Sequence, residues 1–285
     1  MASTEPEYVF PQNYLINNRL NAQHYQWTEL FGYSVHPSIL KKKEDDVNMR
    51  IADIGTGTGI WLTSLASLLP KTVQLDGLDI SFAATPPPAW LPANVALNHW
   101  DVKDDVVSAE LLGAYDLVHI RNFAFVLYGE DVPAVLTRVI SLLHPGYLQW
   151  DEPEVSSFRI EMPTVKNGGE EVKTDAMKHL LMLSQPQNSR LRPDWVPKLP
   201  KMFEMAGLEA IESDVRSPLH DLALAMQKHN LPIHELVARE NGNKSVLKAV
   251  QDLMPQVVAE TRQGAYWAST RWTVVGQKIS TIIGK

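Results

Sequence analysis

Met49-Arg-Ile-Ala-Asp53-Ile-Gly55-Thr-Gly57-Thr-Gly59-Ile60 decides the fold of this chain. Ile51, Ala52 and Ile54 form an apolar run of strand length, Gly55, Gly57 and Gly59 force a tight turn, and residues 60–69 carry the pattern of a helix. Such a turn lets a ligand approach the backbone without Cβ atoms in the way, beside the exposed N–H groups of a helix N-terminus. The expectation is a nucleotide-containing cofactor.

The spacing narrows the choice. A dinucleotide fingerprint, Gly-x-Gly-x-x-Gly, puts its third glycine where this chain has Ile60. Here the glycines alternate, and Asp53 stands two residues before the first of them. A carboxylate there is poorly placed beside a pyrophosphate and well placed beside a cationic amino group.

Composition sets the outer bounds. The 285 residues are enough for one large α/β domain with an insertion, or for two small domains, and 45% hydrophobic with 21% charged residues argues against disorder. Lys and Arg number 26 against 33 Asp and Glu, a net charge of −7 that disfavours a nucleic-acid surface. The one basic run, Lys41-Lys42-Lys43, is followed directly by Glu44, Asp45 and Asp46 and reads as a solvated loop. With no cysteine there is no disulfide, thiolate nucleophile or Cys-ligated zinc. The first residues lack the basic start and apolar core of a signal peptide, and no apolar run is long enough for a membrane span, so the cytoplasm is the default expectation.

Taken in order, residues 1–13 are polar and read as frayed, and 14–31 carry one or two helices whose Arg19 and Gln23, four apart, share a face. Arg19, Gln23 and His24 then cover the cofactor, or the segment only caps the sheet. A second strand over 73–80 ends in Asp79, where a carboxylate can accept both ribose hydroxyls. The Pro86-Pro87-Pro88 stretch makes 82–92 a loop. A third strand, 94–102, ends at Asp101, placed to accept from an adenine amino group, with Trp100 or Val102 against the ring. The fourth, 115–122, leaves His119, Arg121 and Asn122 at its C-terminal end, where open α/β sheets bind ligands. His119 reads equally as a core histidine. A helix over 132–143 leads through a turn at Pro145-Gly146 into a fifth strand ending in Trp150, Asp151 and Glu152. Helices follow at 173–183 and 195–205, then a sixth strand over 208–215. Residues 221–258 are mostly helical with breaks at Pro232 and Pro255 and read as a lid, and 266–279 carry a last strand inserting antiparallel beside the sixth.

Five segments together resemble a known family: Arg19-Leu-Asn-Ala-Gln-His24, Asp53-Ile-Gly-Thr-Gly-Thr-Gly-Ile-Trp61, Leu78-Asp-Ile-Ser81, His119-Ile-Arg121 and Pro145-Gly-Tyr-Leu-Gln-Trp-Asp-Glu152. They are similar to the class I S-adenosylmethionine (SAM) methyltransferases, and within them to fungal secondary-metabolite methyltransferases of the gliotoxin N-methyltransferase type and, more distantly, to the methyltransferase-like global regulators. The resemblance implies an α/β fold with a Rossmann-like, seven-stranded sheet and helices on both faces. Residues 1–44 would form a helical cap over the cofactor site, and 45–285 the SAM-binding domain with helical lid insertions at about 155–205 and 217–262. It further implies that Gly55, Thr56, Gly57 and Gly59 line the amino-acid part of SAM with Asp53 near its amino group. Asp79 and Ile80 would take the ribose, Asp101 and Val102 the adenine end, and Arg19 the carboxylate, with Gln23 and Arg121 nearby. Two departures stand out: Tyr147, where the family more often has a second glycine, and Asn17-Asn18, where many relatives carry an acid.

Methyl transfer is an in-line displacement that depends on alignment and exclusion of water, and a base is optional. A neutral amine needs none, whereas a hydroxyl or amide calls for one such as His119, His24 or Glu152. Asn122, Trp150, Tyr266 and Trp267, with Trp272, Met226 and Leu231, are candidates for an apolar acceptor pocket, or for ordinary core. No His/Asp/Glu cluster has metal-ligand spacing, and phosphate-loop and hydrolase signatures are missing. The expected partner is a small-molecule acceptor, methylated on nitrogen or oxygen, with monomer and homodimer both open. A SAM-binding regulator and a SAM-dependent cyclase remain as rivals.

Overall fold

The computed structural model of the protein describes residues 14–42, 48–162, 173–184, 193–240 and 242–280. The frayed start expected over 1–13, most of the charged loop at 43–46, and the parts of the first lid insertion at 163–172 and 185–192 lie outside them.

A seven-stranded sheet carries the fold. Its parallel half is β1 (Arg50–Ile54), β2 (Gln74–Asp79), β3 (Val95–His99), β4 (Tyr115–Arg121) and β5 (Leu143–Pro153), in the order β3-β2-β1-β4-β5. β7 (Glu209–Arg216) forms the far edge, and β9 (Arg271–Lys278) runs antiparallel between β5 and β7, as expected for the final strand. The expected seven-stranded Rossmann-like sheet is what forms.

Its strands are apolar on both faces because both faces are covered. Ile51, Leu75, Leu117, Tyr147 and Val275 meet α3 (Ile60–Leu68) through Trp61, Leu62 and Leu65, together with Ile39 of α2 (Pro37–Lys42). Ala52, Ile54, Val118, Ile120, Leu148 and Val274 meet α4 (Val132–Ser141) and α6 (Leu199–Met205) on the other face. The strand order reverses between β1 and β4, and the crevice beyond their C-terminal ends opens there.

Several sequence expectations need correction. Residues 266–279 do not form one strand: β8 (Tyr266–Ala268) pairs with β6 (Arg159–Glu161) in a separate two-stranded sheet, and only Arg271 onward joins the main sheet. Pro232 and Pro255 lie inside α7 (His220–Glu240) and α8 (Lys244–Arg262) rather than breaking them. The turn falls instead at Gly242, with a φ of 65°, and at Asn243, whose side chain caps α8 by accepting from Val246 N at 3.1 Å. With α5 (Asp175–Ser184), α7 and α8 share an apolar cluster of their own, apart from the sheet's two. Within the 82–92 loop, Pro88–Trp90 makes one 3-10 turn, and α2 extends through Lys42 into the basic run.

Pro145-Gly146 is part of β5, not of a turn before it. A Cβ on Gly146 would lie 2.4 Å from the Asp116 carbonyl oxygen of β4, and backbone cannot step aside as a side chain can. Tyr147, one of the two departures from the family pattern, buries its ring in the α3-side core. Gly146→Ala is therefore expected to destabilise the protein by about 1–3 kcal/mol, read as a lower urea midpoint at unchanged m-value.

Candidate functional site

The crevice at the β1/β4 reversal is a cavity of about 200 Å³. Gly55, Gly57 and Gly59 all have left-handed backbone, with φ of 63°, 57° and 70°, which a side chain would strain. At Gly55 the space is also taken, since a Cβ would fall 2.5 Å from the Phe123 ring. Asp79 ends β2 and locks the turn: its Oδ2 accepts from Gly57 N at 2.8 Å and its Oδ1 from Ser81 N at 3.1 Å. Burial pushes its carboxyl above the usual range, against the pull of those hydrogen bonds. Asp101, just past β3, faces the same cavity with Ile80 and Val102; the β3 ladder itself stops at His99, two residues earlier than the sequence suggests.

α1 (Tyr14–Phe31) closes the cavity with Asn17, Leu20 and His24. It is tied to the glycine turn by Thr58 Oγ1, which donates to Asn21 Oδ1 at 2.6 Å. Arg121 lines the cavity too, and its Nη2 lies 3.3 Å from His24 Nδ1. Burial, the Arg121 charge and the His119 charge lower the His24 pKa to about 4, so this imidazole is neutral and accepts from the guanidinium. Among the described residues no carboxylate stands within ion-pair distance of Arg121.

Asp53 and His119, on the cavity wall, belong to a buried charged row. Asp53 and His119 are register partners on β1 and β4, and His119 Nδ1 meets Asp53 Oδ1 at 2.7 Å. On its other side His119 Nε2 meets Asp151 Oδ2 at 3.0 Å, and Trp61 stacks on the ring at 4.0 Å between centroids. Both ring nitrogens thus face acceptors, an arrangement satisfied in full only by the imidazolium. Burial opposes that charge, but the hydrogen bonds to Asp151 and Asp53 outweigh it and raise the pKa. Asp53 Oδ2 is held in turn by Thr56 Oγ1 at 2.8 Å.

The lining fits SAM: left-handed glycines without Cβ atoms, three carboxylates at Asp53, Asp79 and Asp101, a guanidinium at Arg121, and no cluster of lysines for a phosphate. A family model described as a methyltransferase domain matches residues 34–236. The chain belongs to this methyltransferase family. Its cofactor is SAM, in agreement with the glycine spacing. The curated methyltransferase grgD of a Penicillium species is 38% identical over 161 residues, 51% of this chain and 52% of that protein. The N-methyltransferase tcpN of Claviceps purpurea is 37% identical over 134 residues, 46% of each chain. The secondary metabolism regulator laeA of Fusarium oxysporum f. sp. lycopersici is 30% identical over 106 residues, 37% of this chain and 32% of that one. The chain spans about half the length of the first two.

In this chain the other sequence candidates are dispersed. Glu152 is fully buried, and its carboxylate accepts from Phe123 N at 2.6 Å, Trp150 Nε1 at 2.7 Å and Ala124 N at 3.0 Å. It anchors the 3-10 turn Phe123–Phe125 that follows Asn122, and burial pushes its pKa up to about 8 despite those donors. Asn122, left-handed at φ 63°, does line the cofactor cavity. Trp150 is core, edge-on to Trp195. Tyr266 is spent on Glu161 Oε2, at 2.7 Å, and on His220.

Arg19 and Gln23 share a helix face as their spacing requires, but that face is turned from the glycines. With Met226 and Trp267 they line a second cavity, of about 130 Å³, between α1, α7 and β8. The helix is rotated by its own apolar side: Ile16 and Leu20 lock against Val237, Ile233 and Phe125. Asn17, Trp61 and Asp151 were not among the sequence candidates. Asn17 had a signal in its helical spacing to Leu20 and His24; Trp61 and Asp151 act through strand register and helix placement, which no single segment encodes.

Proposed function

We propose that this chain transfers the methyl group of SAM to a nitrogen of a small-molecule natural product. SAM supplies a methyl carbon made electrophilic by its sulfonium. Arg121 would take its carboxylate, a role that suits a half-buried guanidinium on the cavity wall, with no carboxylate within ion-pair distance among the described residues, better than it suits Arg19 across the helix. Asp53, fixed by Thr56 and His119, would take the amino group, Asp79 the ribose hydroxyls and Asp101 the adenine amine. Thr56, Ile80 and Val102 would close around them.

The observation that carries the choice of nitrogen is the state of the three candidate bases. His119 is held on both sides by carboxylates, Glu152 by three N–H donors, and the His24 lone pair by Arg121. An acceptor that arrives as a neutral amine needs none of them. The N-methyltransferase name of tcpN supports the same reading.

The similarity to laeA supports a second reading, in which the chain keeps its cofactor and acts through a partner as a regulator. One experiment separates the two: S-adenosylhomocysteine release is followed with methyl-labelled SAM and matched panels of aliphatic amines, phenols and amides. Label in amines above the other panels is the expected result. Label confined to phenols or amides overturns nitrogen as the preferred atom, and SAM binding with no label in any panel favours the regulator.

A further inference from the structure

The second cavity has an unusual wall. Among the described residues that line it there are two arginines, Arg19 and Arg271, and neither Asp nor Glu. Arg271 opens β9 beside Pro153 of β5, and its Nη1 donates to the carbonyl and hydroxyl oxygens of Ser269. Among the described residues no carboxylate lies within ion-pair distance of it. Arg271 is half-buried, and a cation drawn out of water without a counter-charge is costly; desolvation alone pulls even this guanidinium down to about 10. His234, on the same wall, adds no charge, since burial lowers it to about 4.

Two more polar atoms there are buried and unspent. Trp267 Nε1 has no acceptor and Asn230 Oδ1 no donor, although buried groups of both kinds are normally satisfied. The remaining wall, including Phe125, Phe158, Met226 and Ile233, is apolar. The cofactor cavity is one helix away: Asn17, Leu20 and His24 of α1 face it while Arg19 and Gln23 face the second cavity, and Phe123 and Phe125 divide in the same way.

We infer that the second cavity binds an amphipathic carboxylic acid, its carboxylate on Arg271 and Trp267 Nε1, an N–H or O–H of the ligand on Asn230 Oδ1, and its apolar body against Phe125, Phe158 and Met226. That this acid is the methyl acceptor itself rests on the methyl-transfer reading above; that the cavity selects a carboxylate does not. A guanidinium and an indole N–H are donors only, so a neutral amide of the same shape presents a poorer acceptor to both and leaves the cation uncompensated.

The test uses 4-phenylbutyrate and 4-phenylbutyramide as probes, titrated by calorimetry into the full chain saturated with S-adenosylhomocysteine. The acid is expected to bind at least about ten-fold more tightly than the amide, the usual worth of one charge-assisted hydrogen bond. Arg271→Met should bring the ratio close to one while leaving SAM affinity unchanged, which also reports that the variant is folded. Trp267→Phe, which keeps the apolar wall and removes only the N–H, should lower the ratio without abolishing it. Equal binding of acid and amide to the unmodified protein, binding of neither, or a ratio that survives Arg271→Met would each overturn the inference. The titration needs no turnover, so a protein that selects the acid yet methylates nothing would refute methyl transfer and leave the site standing.

Discussion

His119→Leu is expected to lower the unfolding free energy by about 3–5 kcal/mol near pH 6, the cost of stranding buried charges when their partner is removed. Asp53 and Asp151 point at the ring from opposite sides, at 2.7 and 3.0 Å, and leucine leaves two carboxylates in the interior of the sheet with nothing cationic between them. The pH dependence follows from the raised pKa of His119. A group whose folded pKa lies above its unfolded value, here 6.5, contributes fully below that value and loses its contribution as pH rises through the folded pKa. Urea unfolding at pH 6 and again at pH 9 should therefore show the gap between wild type and variant narrowing in alkali. A gap under 1 kcal/mol at pH 6, or one indifferent to pH, would mean that the ring is neutral and that the row is held by ordinary hydrogen bonds. SAM affinity should fall in the same variant, because Asp53 would lose one of the two groups that orient it.

The parts of this molecule that local sequence dictates are those the sequence reveals. Alternating glycines allow one turn, and an acid at or just past the end of each of the first strands is a matter of spacing, so Asp53, Asp79 and Asp101 line one cavity. What local pattern does not contain is rotation and register. Arg19 and Gln23 follow from an i, i+4 rule that says they share a face, not which way the face turns; Ile16 and Leu20 settle that against Phe125 and, more than 200 positions away, Ile233 and Val237. The pairing of His119 with Asp53 and Asp151 depends on how β4 lies against β1 and β5. Proline misleads within α7 and α8 because tertiary packing sustains helices that propensity alone would end there. The single apolar run at 266–279 conceals a change of sheet at Ser269-Thr270, and with it the position of Arg271 on the wall of a second cavity.

Asp79→Ala is expected to weaken SAM binding by about 1.5–3 kcal/mol, on the order of ten- to a hundred-fold, through lost charged hydrogen bonds. The structure gives this carboxylate two tasks that a single substitution mixes. It holds the glycine turn through Gly57 N and Ser81 N, and it faces the cavity where ribose hydroxyls would bind. A double-mutant cycle separates them: S-adenosylhomocysteine and its 2′,3′-dideoxy form are each titrated into wild type and variant by calorimetry. If Asp79 accepts from the ribose, removing the hydroxyls costs the wild type most of the affinity that Asp79→Ala costs, and costs the variant almost nothing further. If the two losses simply add, the carboxylate acts on the cofactor only by fixing Gly57, and the ribose is held by some other group on the cavity wall. Both outcomes include a drop in affinity for Asp79→Ala, so an unchanged affinity in that variant would remove Asp79 from the site altogether.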